Sequence, residues 1–242
     1  MTETNYWNTI ATKYLTVWER YTHRKILHIK EKTFITSAIH SHKKISKKKA
    51  STYIDLGCGP GRIIEIIQHS DTHYKKIIGV DSSEEMILLC KERFKNAPNI
   101  HYILDTIPSD ISKENGSVDV ITAIRVLKYV KERERIFSSV SRALSKNGIF
   151  IFTITNAHSL AYFDALNVHH YKDTVSVVTK QLKKETLEII TLRGFQKLPE
   201  FIYIGASWLN ILPIIFSIET YLQRIFGESF FARTLYIVAQ KK

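Results

Sequence analysis

The sequence predicts an α/β fold: a mostly parallel sheet of seven strands with helices on both faces, plus helices at the N-terminus. Three observations carry this. Between residues 52 and 155, short Ile- and Val-rich runs alternate with stretches of helical period. A turn with glycine at 57, 59 and 61 joins the first run to the first of those helices. Two further apolar runs, near 195–204 and 233–240, flank a long helical stretch and complete the strand count.

The elements follow in order. Trp7, Ile10, Tyr14, Trp18 and Tyr21 recur at helical spacing and predict a helix over 4–22. Leu27, Phe34, Ile35, Ala38 and Ile39 predict a second over 24–40. A lysine-rich stretch, 42–49, reads as a solvated connector, so residues 1–49 form an N-terminal helical lid and basic linker before a domain over 50–242. Strands are expected at 52–56, 76–81, 100–104, 118–123 and 148–155, with helices at 61–69, 83–94 and 132–145 between them. Gly148 is expected to cap the last of these helices in the left-handed conformation. An irregular insertion at 156–173 precedes a helix over 178–192, stopped by Gly194. A second insertion, 207–226, is helical and broken or shifted at Pro213.

Composition narrows the function classes. At 44% apolar and 24% charged residues, the chain is built to fold around its own core. The two cysteines, Cys58 and Cys90, have no metal-ligand spacing and form no disulfide framework, which suits a reducing, cytoplasmic setting. No signal peptide is read at the N-terminus, and the apolar run 211–218 is too short to span a bilayer. A formal net charge of +12 favours anionic partners: nucleic acid, acidic lipid headgroups or phosphorylated small molecules. The same excess also follows from a plain Lys-rich composition.

The chemistry concentrates at Asp55-Leu56-Gly57-Cys58-Gly59-Pro60-Gly61, where a strand ends, the chain turns and a helix begins. Glycines let the backbone turn sharply and approach a ligand, and the helix start offers free N–H groups. Asp81 follows 20 residues after Gly61, at the end of the next strand, where a carboxylate can accept from both ribose hydroxyls. The spacing Gly57-x-Gly59-x-Gly61 differs from Gly-x-Gly-x-x-Gly and provides less for a pyrophosphate.

Asp-Leu-Gly-Cys-Gly-Pro-Gly resembles the first motif of the class I S-adenosylmethionine-dependent methyltransferases, and Gly79-Val80-Asp81-Ser82-Ser83 resembles their second. Ile103-Leu104-Asp105-Thr106, Ser117-Val118-Asp119-Val120-Ile121, Val126-Leu127-Lys128-Tyr129-Val130 and Arg142–Gly148 resemble the segments that follow, in the same order, across about 50–155. Tyr6-Trp7, Ala11 and Tyr14 are similar to the N-terminal helix that closes over the donor in the branch acting on quinones and sugars. The resemblance implies that the last strand, 233–240, inserts antiparallel into the sheet.

It also implies a site. S-adenosylmethionine would be the cofactor, S-adenosylhomocysteine the product, and no metal is called for. Gly57 and Gly59 would approach the methionine part, and Asp55 its amino group. Asp81, beside Ser82, would hold the ribose. Met86 would pack near the adenine, and Asp105, beside Thr106, would accept from its amino group. Tyr14 would lie in the closing helix, and Arg125 would either face the site or cap the sheet edge. A histidine often follows strand four in this branch, and Lys128 and Tyr129 stand there instead. The candidates for a base are therefore Tyr129 and, in the first insertion, His158, His169 and His170, with Tyr162 and Tyr171 nearby. The absence of Asn-Pro-Pro-Tyr argues against methylation of adenine bases or glutamine amides.

The expected reaction is in-line methyl transfer to an oxygen or nitrogen of a small molecule, hydrophobic or anionic, by a monomer or homodimer. The alternatives are an RNA (tRNA) methyltransferase, a lipid or quinone methyltransferase peripheral to a membrane, and a donor-binding protein without catalysis. The stretch 207–226, apolar on more than one face, reads as a helix packed on the sheet or in a dimer, or as a hydrophobic acceptor pocket or membrane contact.

Overall fold

In a computed structural model, residues 3–19, 22–46, 52–107, 111–159 and 171–242 are described. The sheet is mixed, with strands in the order β3-β2-β1-β4-β5-β8-β7 and a short β6 paired to β5. The parallel part comprises β1 (Thr52–Leu56), β2 (Lys76–Asp81), β3 (Ile100–Leu104), β4 (Val118–Ala123) and β5 (Leu144–Asn156). The two-residue β6 (Lys172–Asp173) is an eighth strand that the sequence does not signal. Strand β8 (Thr234–Lys241) runs antiparallel between β5 and β7 (Leu187–Phe195).

Every residue of β1 and β4 is buried, because helices cover both faces of the central strands. On one face, Ile54, Leu56, Phe150, Phe152 and Ile237 pack with Phe137 and Val140 of α5 (Arg133–Ala143) and with Val178 and Leu182 of α6 (Val175–Lys184). On the other, Tyr53, Val120, Ile151 and Tyr236 pack under α3 (Arg62–Gln68), α4 (Glu84–Arg93) and α2 (Thr22–Ser46), through Ile64, Ile87, Ile35 and Ile39. The second N-terminal helix is thus a layer of the core. It also runs on to Ser46, so His42, Lys43 and Lys44 are helical; Lys47, Lys48 and Lys49 lie outside the described residues. Helix α1 (Glu3–Glu19) lies against α4 and α2.

Three expectations shift. The helix expected over 178–192 is α6 followed by strand β7. Val178 and Leu182 carry the helical period, but Thr186 takes a left-handed φ of 56° and stops it. The strand expected over 195–204 is instead helix α7 (Glu200–Trp208), started at Pro199, with Tyr203 buried against Glu219. Gly194 therefore lies inside β7, where an added Cβ would meet the Glu228 carbonyl oxygen at 2.0 Å. Finally, α5 ends at Ala143, and Asn147, not Gly148, takes the left-handed conformation with φ 66°. Gly148 is needed for space, since a Cβ there would sit 2.9 Å from Ser145 O and 3.0 Å from Val118 O.

The second insertion is a helical pair, α7 and α8 (Leu212–Phe226), with Pro213 in the first turn of α8 where its missing N–H costs nothing. Among the described residues, no helix is long and apolar enough to cross a membrane.

Candidate functional site

The glycine turn leaves β1 and is held over the end of β2, where Gly57 N and Cys58 N donate to Val80 O at 2.7 and 3.0 Å. Gly57 and Gly59 have φ of 67° and 53°, a region that side-chain-bearing residues enter only under strain. At Gly57 the space is also closed, since a Cβ would meet Val126 Cγ2 at 2.3 Å. At Gly59 only Met86 Sδ comes within reach, at 3.9 Å, so the backbone there faces open space.

Asp81 ends β2 beside this turn. Its Oδ2 accepts from Gly59 N at 2.8 Å and its Oδ1 from Ser83 N at 2.9 Å. Burial raises its pKa, and the N–H groups of Ser83, Gly59 and Ser82 oppose the rise. Ser83 caps α4 by accepting from Met86 N at 3.2 Å, and donates its own hydroxyl to Asn8 Oδ1 of α1 at 2.6 Å. One residue thus fixes Met86 and anchors the N-terminal helix.

Asp55 lies beneath the turn, 1% exposed. Its Oδ1 accepts from the Thr122 hydroxyl at 2.6 Å, while Oδ2 is buried with no hydrogen-bond partner among the described residues. Burial pushes its pKa up to about 7, against the Thr122 hydrogen bond and Arg62.

A cavity of about 320 Å³ opens at this carboxyl edge of the sheet. Its floor is Gly57, Gly59, Asp81, Ser82 and Met86; its far wall is Thr106, Ile107, Ile124, Arg125, Val126 and Val130. Trp7 and Tyr14 of α1 and Tyr129 complete the lining. The Trp7 ring meets Tyr129 edge-on at 5.1 Å and Tyr14 at 6.2 Å, so α1 closes the mouth with an aromatic cluster.

The structure therefore brings Tyr14, Gly57, Gly59, Asp81, Ser82, Met86, Thr106, Arg125 and Tyr129 into one lining. Asp55 sits behind it. Asp105, half-exposed after β3, accepts from Thr106 N at 2.7 Å and is not part of the lining. His158 is exposed and not part of the cavity lining, and His169, His170 and Tyr162 lie outside the described residues. Tyr171 N donates to Lys128 O at 2.7 Å, tying the end of the first insertion to the loop that carries Tyr129.

Sequence reasoning missed a buried ionic cluster behind the cavity. Glu31 of α2 is fully buried. Its Oε1 accepts from Arg62, the first residue of α3, and its Oε2 from Arg125 Nε at 3.2 Å and the Tyr236 hydroxyl at 2.6 Å. Burial raises the Glu31 pKa, but Arg62 and Arg125 outweigh it and hold the carboxyl down to about 2. Arg125 itself has φ 67°, and its N–H donates to Thr153 Oγ1 at 2.7 Å. It both lines the cavity and caps the sheet edge through Tyr236, at 3.3 Å. A signal for Glu31 was present: it lies at the centre of the apolar stripe Leu27, Phe34, Ile35, Ala38.

Residues 54–152 match a family described as "Methyltransferase domain". The ubiquinone/menaquinone biosynthesis C-methyltransferase UbiE of Campylobacter jejuni is 32% identical over 108 residues, 43% of this chain and 44% of that protein. The chain thus spans less than half the length of that relative. A crystal structure of a methyltransferase from Clostridium acetobutylicum has a TM-score of 0.63 at 16% identity, covering 95% of this chain and 98% of that one. The magnesium protoporphyrin IX methyltransferase of Synechocystis, solved with S-adenosylhomocysteine, has a TM-score of 0.60 at 12% identity over 100% of both chains. At these identities the structural likeness is one of fold, the class I methyltransferase fold.

Proposed function

We propose that this chain, whose residues 54–152 match a methyltransferase domain, is a class I S-adenosylmethionine-dependent methyltransferase that moves the donor's methyl group to an oxygen or nitrogen of a small-molecule acceptor. The observation that carries the reading is the convergence of Gly57, Gly59, Asp81 and Met86 on one cavity closed by Trp7, Tyr14 and Tyr129.

The residues fit the donor. A carboxylate offers about four lone-pair directions, so Asp81 can hold both backbone N–H groups and ribose hydroxyls. The open face of Gly59 admits the donor beside the backbone. The orphaned Oδ2 of Asp55 suits the donor's ammonium, directly or through water.

When bound, the donor supplies a methyl group already activated on a sulfonium. The chain contributes alignment and exclusion of water, which remove the entropic part of the barrier. Trp7, Met86, Ile107 and Val130 make an apolar wall, and Arg125 and Tyr129 set polar groups at its end. We assign Tyr129 as the residue that orients the acceptor's reacting atom. Arg125 is the single basic side chain lining the cavity among the described residues, which favours a small acceptor over a polyanion such as RNA. The likeness to a ubiquinone/menaquinone C-methyltransferase supports the quinone-type branch and says nothing for oxygen or nitrogen as the atom methylated.

The test is calorimetric titration with S-adenosylhomocysteine across pH. With its pKa raised to about 7, Asp55 is largely protonated in the free protein below that pH. Binding an ammonium requires the ionised form, so a proton must leave. Affinity should fall as pH drops below about 7, by up to about tenfold per unit. In Asp55→Asn this slope flattens; what remains is the share of Asp81, whose pKa is also raised. Absence of binding at every pH would refute the donor assignment.

A further inference from the structure

Helix α8 presents an apolar stripe to solvent. Ile214, Ile218, Tyr221 and Ile225 are 57, 44, 63 and 53% exposed and recur at i, i+4, i+7 and i+11, one line along a helix. The turn from α7 extends it with Trp208 and Leu209, 82 and 70% exposed. The opposite face of α8 is satisfied: Leu212 is buried in a cluster with Tyr203 and Ala206, against which Ile215 and Phe216 pack. The helix thus carries one apolar face inward and a second outward.

Charge distinguishes the occupants. Residues 201–227 contain one acid, Glu219, which is buried, and one base, Arg224, which is exposed. The face therefore offers no carboxylate to repel an anionic surface. The whole chain carries +12, so a second copy would bring like charge against like, whereas an anionic bilayer is complementary. Trp208 and Tyr221 have the apolar body and polar tip that settle at headgroup level. Fifteen residues make a helix about 22 Å long, suited to lying in the interface and too short to span it.

The position serves the cavity. Phe195 at the end of β7 pairs with Thr234 at the start of β8, which in turn pairs with Thr155 near the end of β5. The α7–α8 segment therefore leaves the sheet at its carboxyl edge, the edge on which the cavity opens.

We propose that the α7–α8 face is a monotopic contact with an anionic lipid bilayer, its apolar stripe inserted below the headgroups and the chain drawn to their phosphates by its net positive charge. The claim stands apart from the methyl-donor reading, because its readout needs no donor. The experiment is flotation of the full chain with vesicles of phosphatidylcholine alone or mixed with phosphatidylglycerol. The chain should float with the anionic vesicles and be released as salt rises. Ile214→Ser with Ile218→Ser should lower partitioning at least tenfold, leaving the circular-dichroism melt unchanged because both side chains are exposed. Trp208→Phe should remove a blue-shift in fluorescence on vesicle addition. Equal flotation of the double variant, or of the native chain with neither vesicle, overturns the proposal. So does a dimer in sedimentation that the double variant dissolves, which would assign the stripe to a second copy.

Discussion

Glu31→Ala is expected to destabilise the fold by about 3–5 kcal/mol, read as a lower urea midpoint at unchanged slope. The carboxylate is fully buried and is shared by Arg62, Arg125 and the Tyr236 hydroxyl. Its removal takes the neutralising charge away from the buried Arg62 and the half-buried Arg125, and the energy lost is mainly the desolvation of those charges that it had offset rather than the worth of the pairs themselves. Because the folded-state pKa is held at about 2, below its ordinary value, the contribution is complete above about pH 4.5 and is lost as pH falls towards 2. Glu31→Gln keeps the shape and the acceptor oxygen and should fall between. A loss under about 1 kcal/mol for alanine would mean that the cluster is screened by water, and the account of it given above would fail.

Asp81→Ala should weaken S-adenosylhomocysteine binding at least tenfold, through loss of a charged acceptor worth about 1.5–3 kcal/mol. The carboxylate also holds the N–H groups of Gly59 and Ser83, so the variant loosens the turn and the cap of α4 together. A thermal melt alongside the calorimetry separates the two effects. Unchanged affinity in a folded variant would remove Asp81 from the ribose site and with it the main support for the donor reading.

The parallel core was legible because its signals are local. Short Ile- and Val-rich runs, a glycine turn and an acid at the next strand end are visible without knowing any tertiary contact. The elements after residue 173 were less so. In β7, Leu187 is buried while Glu188, Ile190 and Thr191 are exposed, with a register shift between Ile189 and Thr191, so the alternation that marks a strand is broken. The sequence therefore extends the period of α6 into it. The apolar stretch of α8 left packing on the sheet, a dimer, an acceptor pocket and a membrane contact all open, since sequence reports apolarity but not what lies opposite. Tyr14, Met86 and Arg125 were reachable through order along the chain. Glu31 was not, because its role depends on two arginines from distant elements, although its place on an apolar stripe marked it as a residue in need of partners.

The antiparallel pairing of β7 with β8 has a consequence for how such a chain can diversify. The two strands are clamped over eight rungs, from Leu187–Lys241 to Phe195–Thr234. The helical pair α7–α8 and its turns lie between them, with both ends of the segment already fixed. Doubling the length of a loop costs only about 0.6 kcal/mol in closure entropy. The exposed turns of the segment from 196 to 233, away from the buried Tyr203, Ala206, Leu212 and Glu219, can be lengthened at little thermodynamic penalty, while the glycine turn and Asp81 stay as they are on the far strands.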